Sequence, residues 1–186
     1  MNNIDDDDFE LIRYDNKKNK DKLFSAFDIV KEFIIKNKLI LVGGMAVDFT
    51  LRLKGKKLYN DNEIPDYDFY SPDNAQHAYD LAMVLCEKEY TELSAVYGIH
   101  VTTMKVFTMF EGVADISYCP KVLYDKIRTL EYKGIRCIHP YYSLMDFASA
   151  MARPFDNPPR EVIFQRWEKY NKRIKLVLDT YPITKP

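Results

Sequence analysis

Two adjacent glycines separate a short apolar run from a helical pattern, and this junction constrains what the chain can fold into. Residues 39–42 are all apolar, which is typical of a buried strand, and residues 45–53 have the pattern of a helix. Gly43 and Gly44 lie between them. The amides at a helix N-terminus attract anions, and glycines let phosphate oxygens approach them closely. Taken alone, a strand-to-helix turn without a ligand explains the pair better, because such turns are common.

A second feature is the pair of carboxylates at Asp66 and Asp68. Residues 66–70 begin by alternating acidic and aromatic residues, as a strand does. Side chains two residues apart on a strand lie on the same face, so the two carboxylates are expected to be neighbours. Like charges side by side repel, and a divalent cation such as Mg²⁺ would relieve the conflict. A surface turn rich in Asp is the alternative, since Pro65 precedes the pair.

A third acid, Asp115, interrupts the apolar run at residues 113–117, which otherwise reads as a central strand. A buried carboxylate without a partner is costly, so Asp115 needs one. A shared metal site is one candidate. An edge strand, or an ion pair with a nearby Lys, explains this residue at least as well when it is taken alone.

The order of the patterns predicts an α+β fold with a mixed β-sheet and flanking helices. Glu111 and Gly112, between two strand-like runs, are expected to form a hairpin turn. The predicted elements are a helix over 21–37, a strand over 39–42, a helix over 45–53, a strand from 66, a helix over 74–89, strands within 99–110, 113–118 and 135–138, and helices over 141–151 and 160–179.

Charge and hydropathy set limits on partners. The formal net charge is −1, so any contact with nucleic acid has to depend on a local basic patch and not on bulk charge. The first ten residues are acidic, unlike a signal peptide, and the apolar runs are too short to span a bilayer. We therefore expect a soluble, intracellular protein without a membrane partner.

The last predicted helix carries Arg166, Lys169 and Arg173 at three- and four-residue spacing, so they share a face. Such a stripe could bind the backbone of RNA or a triphosphate. The alternative, which we prefer for most of these residues, is the solvated face of an amphipathic helix whose Phe164, Trp167, Ile174 and Leu178 pack inward.

Together, the glycine junction, the Asp-x-Asp strand and the third Asp strand form an ordered pattern that resembles the polymerase-β-type nucleotidyltransferase superfamily. Several stretches are more specific. From about residue 22 to the C-terminus, the chain resembles the N-terminal part of the poly(A) polymerase catalytic subunits of giant DNA viruses, distant relatives of the poxvirus enzyme. The stretches that carry the resemblance include LVGGMAVD, IPDYDFYSPDNAQHAYDL, YGIHVTTMKVF and GVADISYCP.

The resemblance implies catalytic roles for the residues already singled out. Asp66 and Asp68 would hold two Mg²⁺ or Mn²⁺ ions, and Asp115 would complete the site of the ion that activates the acceptor hydroxyl, or would take its proton. The backbone amides of Gly43 and Gly44 would bind the triphosphate of ATP. It also implies a nucleotidyltransferase domain over residues 20–140, a flexible arm over 1–19, and a C-terminal helical segment over 141–186 packed on that domain.

The implied function is the addition of AMP from ATP to RNA 3′ ends, with a processivity subunit as a further candidate partner and a location in the cytoplasmic virus factory or the virion. Two alternatives stay open: a nucleotidyltransferase that modifies a protein or small molecule, and a non-catalytic nucleotide-binding subunit. Family members are much longer, so we interpret the chain as either a short version or an excised domain. An extra loop over residues 54–65 either contacts substrate or is a surface excursion, and we favour the excursion.

Overall fold

The computed structural model describes residues 19–61, 63, 65–153 and 163–183, so nearly all of the arm expected at 1–19 lies outside the described residues. The helices are α1 (Lys20–Lys36), α2 (Gly43–Arg52), α3 (Asn74–Glu87), α4 (Lys121–Tyr124), α5 (Pro140–Ala152) and α6 (Ile163–Thr180). The strands are β1 (Ile40–Leu41), β2 (Tyr67–Ser71), β3 (Ser94–Tyr97), β4 (Thr103–Thr108), β5 (Glu111–Tyr118), β6 (Thr129–Tyr132) and β7 (Ile135–Ile138).

The strands form one mixed sheet in the order β3-β4-β5-β2-β1-β7-β6. Strand β2 lies near its centre, parallel to β5 and antiparallel to β1. Strand β1 is parallel to β7, and the outer pairs β3–β4, β4–β5 and β6–β7 are antiparallel. The predicted mixed sheet with flanking helices is therefore confirmed. The sheet places β2 and β5 side by side, which brings together the two strands that carry the predicted acids.

The apolar face predicted for α1 packs against this sheet. Phe27, Val30 and Ile34 are buried in the main core cluster, as their four- and three-residue spacing predicts. The ring of Phe27 lies 5.9 Å from the ring of Tyr67, measured between centroids, which ties α1 to β2. Burial alternates along β2, with Tyr67 and Phe69 buried and Asp68 less so. The core therefore fixes which face of β2 carries the acids.

The turn between β4 and β5 differs from the prediction. Thr108 pairs with Glu111, so the two-residue turn consists of Met109 and Phe110, both with positive φ, of 52° and 63°. This is the backbone that a tight two-residue hairpin turn requires, here without glycine. Gly112 instead lies inside β5, next to a register shift on β4. The prediction of a turn at Glu111-Gly112 is wrong because the turn lies two residues earlier, and the register shift leaves Val113 as an extra residue on β5, which is a bulge.

The inward face of helix α6 agrees with the sequence prediction only in part. The side chains of Phe164 and Trp167 are 78% and 44% exposed, so the expectation that they pack inward is wrong. Ile174 does pack inward as predicted, together with Tyr170 and Val177, against a second core cluster between α6, α5 and α2. None of the described helices combines the length and apolarity needed to cross a bilayer.

Removing a core side chain from β5 should destabilise the protein strongly. Ile116 is fully buried, so we expect Ile116→Ala to lower the free energy of unfolding by about 2–5 kcal/mol through lost burial and a residual cavity. Ile99→Ala is the matched control, because Ile99 is 83% exposed, and its effect should stay within about 0.5 kcal/mol. Urea denaturation of both variants measures the difference, and equal losses would contradict the described core.

Candidate active site

The three predicted carboxylates converge. Asp68 on β2 is the register partner of Asp115 on β5, and Asp66 lies just before β2 on the same face as Asp68. One carboxylate oxygen from each lies within 4.8 Å of the other two, a spacing that suits a shared metal ion. Because adjacent parallel strands set this register, the backbone hydrogen bonds of the sheet hold the acids together. Hard carboxylate oxygens are the ligands that Mg²⁺ and Mn²⁺ prefer.

Burial first, and repulsion between neighbouring carboxylates second, shift the pKa values of Asp68 and Asp66. Desolvation, with added repulsion from Asp66 and Asp115, raises the pKa of Asp68 to about 7 from an ordinary value of 3.8. The pKa of Asp66 is also raised, first by desolvation among the surrounding protein atoms, although the residue reaches solvent, and second by the charge of Asp115. A cluster that resists ionisation to this degree favours a bound cation, which would stabilise all three charges.

Lys105 supplies one countercharge inside the cluster, and it is the lysine that the ion-pair alternative for Asp115 left unnamed. It lies on β4 in register with Asp115, and its Nζ is 2.7 Å from Asp115 Oδ2 and 2.9 Å from Oδ1. Lys105, Asp115 and Asp68 thus form a row across three adjacent strands. One lysine offsets only one of three carboxylates. Asp115 therefore forms the ion pair with Lys105 and also lies where it could share a metal ion with Asp66 and Asp68.

Gly43 occupies a position that accepts no side chain. Its φ is +64°, in the left-handed region, and a Cβ built there would overlap the carboxylate of Asp68. The missing side chain lets the Asp68 carboxylate lie directly against the backbone at the start of α2. The glycine junction and the acidic strand are separate motifs in the sequence, and in the structure they are in direct contact.

Gly44, the next residue, is covered by two polar side chains. A Cβ at Gly44 would overlap the hydroxyl of Tyr59 and come within 2.9 Å of an Arg173 guanidinium nitrogen. Arg173 donates a hydrogen bond of 2.6 Å to the Tyr59 hydroxyl, and its guanidinium also lies 5.8 Å from the ring centroid of Phe147. The N-terminus of α2 therefore faces a hydroxyl and a guanidinium, both suited to contact phosphate oxygens.

Tyr59 belongs to the extra loop, and a buried carboxylate holds the loop in place. Asp48 on α2 is only 1% exposed and accepts hydrogen bonds from the backbone amides of Leu58 and Tyr59, at 2.7 and 3.0 Å. Arg52 bridges Asp48 to Asp61 of the same loop, at 2.5 and 2.9 Å. The loop is anchored back onto α2 and reaches Gly44, so our preference for a surface excursion is wrong for Tyr59.

Two cations of α6 also face the carboxylates. Lys169 and Arg173 act electrostatically on Asp66 and Asp68, each tending to lower the pKa of the nearer acid. The pKa of Lys169 itself is lowered, first by desolvation and second by repulsion from Arg173 and Arg166. The interpretation as a solvated face is therefore wrong for Arg173, which is half-buried and lies beside Gly44. Lys169 is exposed, as that interpretation predicts, although its charge acts on Asp66.

A mixed sheet with a glycine turn at a helix N-terminus and three converging carboxylates on adjacent strands defines a nucleotidyltransferase-like fold and site. The family model for the poly(A) polymerase catalytic subunit matches residues 28–157, which include the glycines and all three acids. The chain therefore belongs to the poly(A) polymerase catalytic subunit family.

Relatives and a solved structure agree with this assignment. A protein of African swine fever virus that carries the name of a poly(A) polymerase catalytic subunit is 45% identical over 175 residues, covering 94% of this chain. A mimivirus protein of the same name, from Acanthamoeba polyphaga mimivirus, is 30% identical over 161 residues, covering 86% of this chain and 27% of its own length. The crystal structure of the Megavirus polyadenylate synthase aligns with a TM-score of 0.78 at 25% identity, over 100% of this chain and 40% of its own. This chain spans 37% of the African swine fever virus protein.

A methyl group at Gly43 should disrupt the site, and one at Gly55 should not. Both glycines have positive φ, so Ala at either position should cost about 1–2 kcal/mol of backbone strain. Only Gly43→Ala also displaces the Asp68 carboxylate, because a Cβ at Gly55 meets no atom within 4 Å. We expect Gly43→Ala to abolish Mn²⁺ binding measured by calorimetry, and Gly55→Ala to retain it. Intact Mn²⁺ binding in Gly43→Ala would contradict the described contact.

The raised pKa of Asp68 predicts an inverse dependence of stability on pH without divalent ions. The folded protein holds this proton more tightly than the unfolded chain, so the contribution of Asp68 is full below about pH 4 and is lost as pH rises through 7. Asp68→Asn should therefore be more stable than wild type at pH 8 in EDTA, by up to about 4 kcal/mol, and the gain should disappear near pH 4. Thermal melts across this range measure it. Asp73→Asn, in the loop after β2, is the control, and an equal gain in both variants would contradict the assignment.

Proposed function

We propose that this chain is the nucleotidyltransferase domain of a template-independent polymerase that transfers AMP from ATP to the 3′ end of RNA. The convergence of Asp66, Asp68 and Asp115 beside the glycine junction carries this proposal. The packing of the fold does not explain the three carboxylates. Their surroundings raise the pKa values of Asp66 and Asp68, which means that the charged forms are disfavoured there. Family membership and the viral relatives support poly(A) as the product.

The residues around the site suit both reacting groups, the triphosphate of ATP and the acceptor hydroxyl of the RNA. The amides of Gly43 and Gly44 at the start of α2 would bind the triphosphate, and Arg173 and Lys169 would neutralise part of its charge. Asp115, in the same row, is the carboxylate we assign to the acceptor hydroxyl, which it would orient and whose proton it would take. Phosphoryl transfer depends mainly on such positioning and charge stabilisation, so no further nucleophile is needed.

Asp66, Asp68 and Asp115 fit a site for Mg²⁺ or Mn²⁺, because their oxygens converge and their mutual repulsion is only partly offset by Lys105. Two bound ions would lower the pKa of the attacking hydroxyl and stabilise the leaving pyrophosphate. Asp66 and Asp68 would hold both ions, and Asp115 one of them. The raised pKa of Asp68 implies that ion binding competes with a proton near neutral pH.

Because the chain spans 37% of the African swine fever virus relative, RNA, ATP and a processivity subunit are proposed as partners of the full-length protein. We also propose a location in the cytoplasmic virus factory or the virion, supported by the viral origin of the relatives. The proposed RNA contact uses a local patch and not bulk charge, since the net charge is −1.

Primer extension tests the reaction directly. The protein is incubated with labelled oligo(A), each of the four NTPs in turn, and Mg²⁺ or Mn²⁺. We expect extension with ATP, and we expect Asp66→Asn to lower its rate at least about 100-fold, because charge stabilisation in the transition state is lost. Asp73→Asn is the matched control: this exposed acid precedes α3, makes no capping hydrogen bond with its side chain, and should leave the rate unchanged.

Other outcomes of the same assay would contradict this proposal. Label transferred to protein instead of RNA would replace this proposal with a nucleotidyltransferase that modifies proteins. Metal-dependent binding of ATP without any transfer would indicate a nucleotide-binding subunit. Equal loss of extension in Asp66→Asn and Asp73→Asn would mean that the acids act through stability and not through the chemistry.

A further inference from the structure

A cavity of about 400 Å³ lies beside Gly43, at the ends of β2 and β5 and against helix α5. We call it the α5 cavity, and its walls include Gly43, Tyr70, Tyr118, Tyr142 and Asp146. Its volume is in the range of sites that bind small organic ligands, about 300–1,000 Å³. Neither the family assignment nor the three carboxylates account for it.

The α5 cavity adjoins the carboxylate cluster through two of its walls. Gly43 is in direct contact with Asp68, and Tyr70 follows Asp68 by two residues on the same face of β2, which separates their Cα atoms by about 6.6 Å. Because Gly43 both lines the cavity and lies against the Asp68 carboxylate, a ligand bound in the cavity would lie next to the cluster.

The walls suit a flat, mainly apolar ring. Three are tyrosines, and Leu123 and Ile138 add aliphatic surface. Aromatic and aliphatic side chains of this kind hold nucleobases by stacking, a contact that is strong for any base and selects none of them. Selection then has to come from polar atoms at the edge of the cavity.

Asp146 is the carboxylate at that edge. It lies on α5 four residues after Tyr142, so both side chains are on one face of the helix. Its side chain reaches solvent, although the surrounding protein atoms desolvate it enough to raise its pKa, and it forms no hydrogen bond or ion pair with any other described residue. An exocyclic amine is the group of a nucleobase that donates to a carboxylate, and a keto oxygen at the same position would be repelled.

We infer that the α5 cavity binds an adenine ring, with its exocyclic amine donating to the Asp146 carboxylate. The inference rests on the proposed function, because it takes the two proposed substrates, ATP and the RNA 3′ end, as the molecules that reach this part of the site. The same ring chemistry comes from two sources, the incoming ATP and the 3′-terminal residue of the RNA. In either case Asp146 is a specificity residue that distinguishes a base with an exocyclic amine from one with a keto group at the same position.

Binding measurements test this without depending on catalysis. ATP, ITP, oligo(A), oligo(I) and inorganic tripolyphosphate are titrated by calorimetry into wild type and three variants in the presence of Mn²⁺. ITP and oligo(I) differ from their adenine counterparts by carrying a keto group in place of the amine. We expect Asp146→Asn to lower the preference for the adenine form roughly tenfold, the effect of one charge-assisted hydrogen bond, and to leave tripolyphosphate affinity unchanged.

A second variant fills the cavity without opening the core. Leu123 lines it and is 54% exposed on α4, so Leu123→Trp should block the ring and weaken binding at least tenfold. Val122→Trp is the matched control, since Val122 is the preceding residue of α4, is 73% exposed and does not line the cavity. Weaker binding of ATP would identify the incoming nucleotide as the source, and weaker binding of oligo(A) alone would identify the RNA end.

The inference would be overturned if Leu123→Trp left the affinity for both ATP and oligo(A) unchanged, or if Val122→Trp weakened binding as much as Leu123→Trp does. It would also fail if Asp146→Asn kept the full preference for the adenine form. Loss of tripolyphosphate binding in the variants would also overturn it, because the effect would then not be specific to the ring. Failure of the proposed function is a separate observation, since it appears as wild-type protein that binds ATP and extends no primer.

Discussion

The repulsion between carboxylates on neighbouring strands is the constraint on which the rest of the site depends. Asp68 and Asp115 are register partners on β2 and β5, and Asp66 adds a third charge at the same edge. A sheet gains nothing from like charges placed side by side. The surroundings of this cluster, a lysine on β4 and cations on α6, are arranged as partial countercharges. They reduce the repulsion without removing it, which leaves the cluster suited to a divalent ion.

The alternation of residues along β2 was enough to predict a shared face for Asp66 and Asp68, because the two-residue period is a local property of a strand. The pairing of β2 with β5 was anticipated only through the resemblance, since the strands are distant in sequence. Lys105 was not named, because its place beside Asp115 depends on the register between β4 and β5. Register is set by the whole sheet and by its turns, and the turn at Met109 and Phe110 was itself placed wrongly.

The orientation of α6 shows a second limit of sequence patterns. Its sequence has apolar residues on more than one face, so the pattern predicted Ile174 correctly as an inward residue and Phe164 and Trp167 wrongly. The choice is made by packing: Val177 and Ile174 fill the cluster shared with α2 and α5, which turns Trp167 outward and Arg173 toward Gly44. The position of Tyr59 is likewise a tertiary effect, since the buried Asp48 carboxylate binds the loop that carries it. Arg173 and Tyr59 therefore reach the site from segments for which the sequence pattern favoured a surface role over a substrate contact.

The contact between Gly43 and Asp68 has a consequence for how such a site can change during evolution. A side chain at residue 43 would occupy the place of the carboxylate, so residue 43 has to stay glycine as long as Asp68 keeps its position. The constraint runs in one direction only, because a smaller residue at position 68 would leave Gly43 undisturbed. Loss of the carboxylate would therefore be a first step that makes room for a side chain at residue 43, and the reverse order would be blocked.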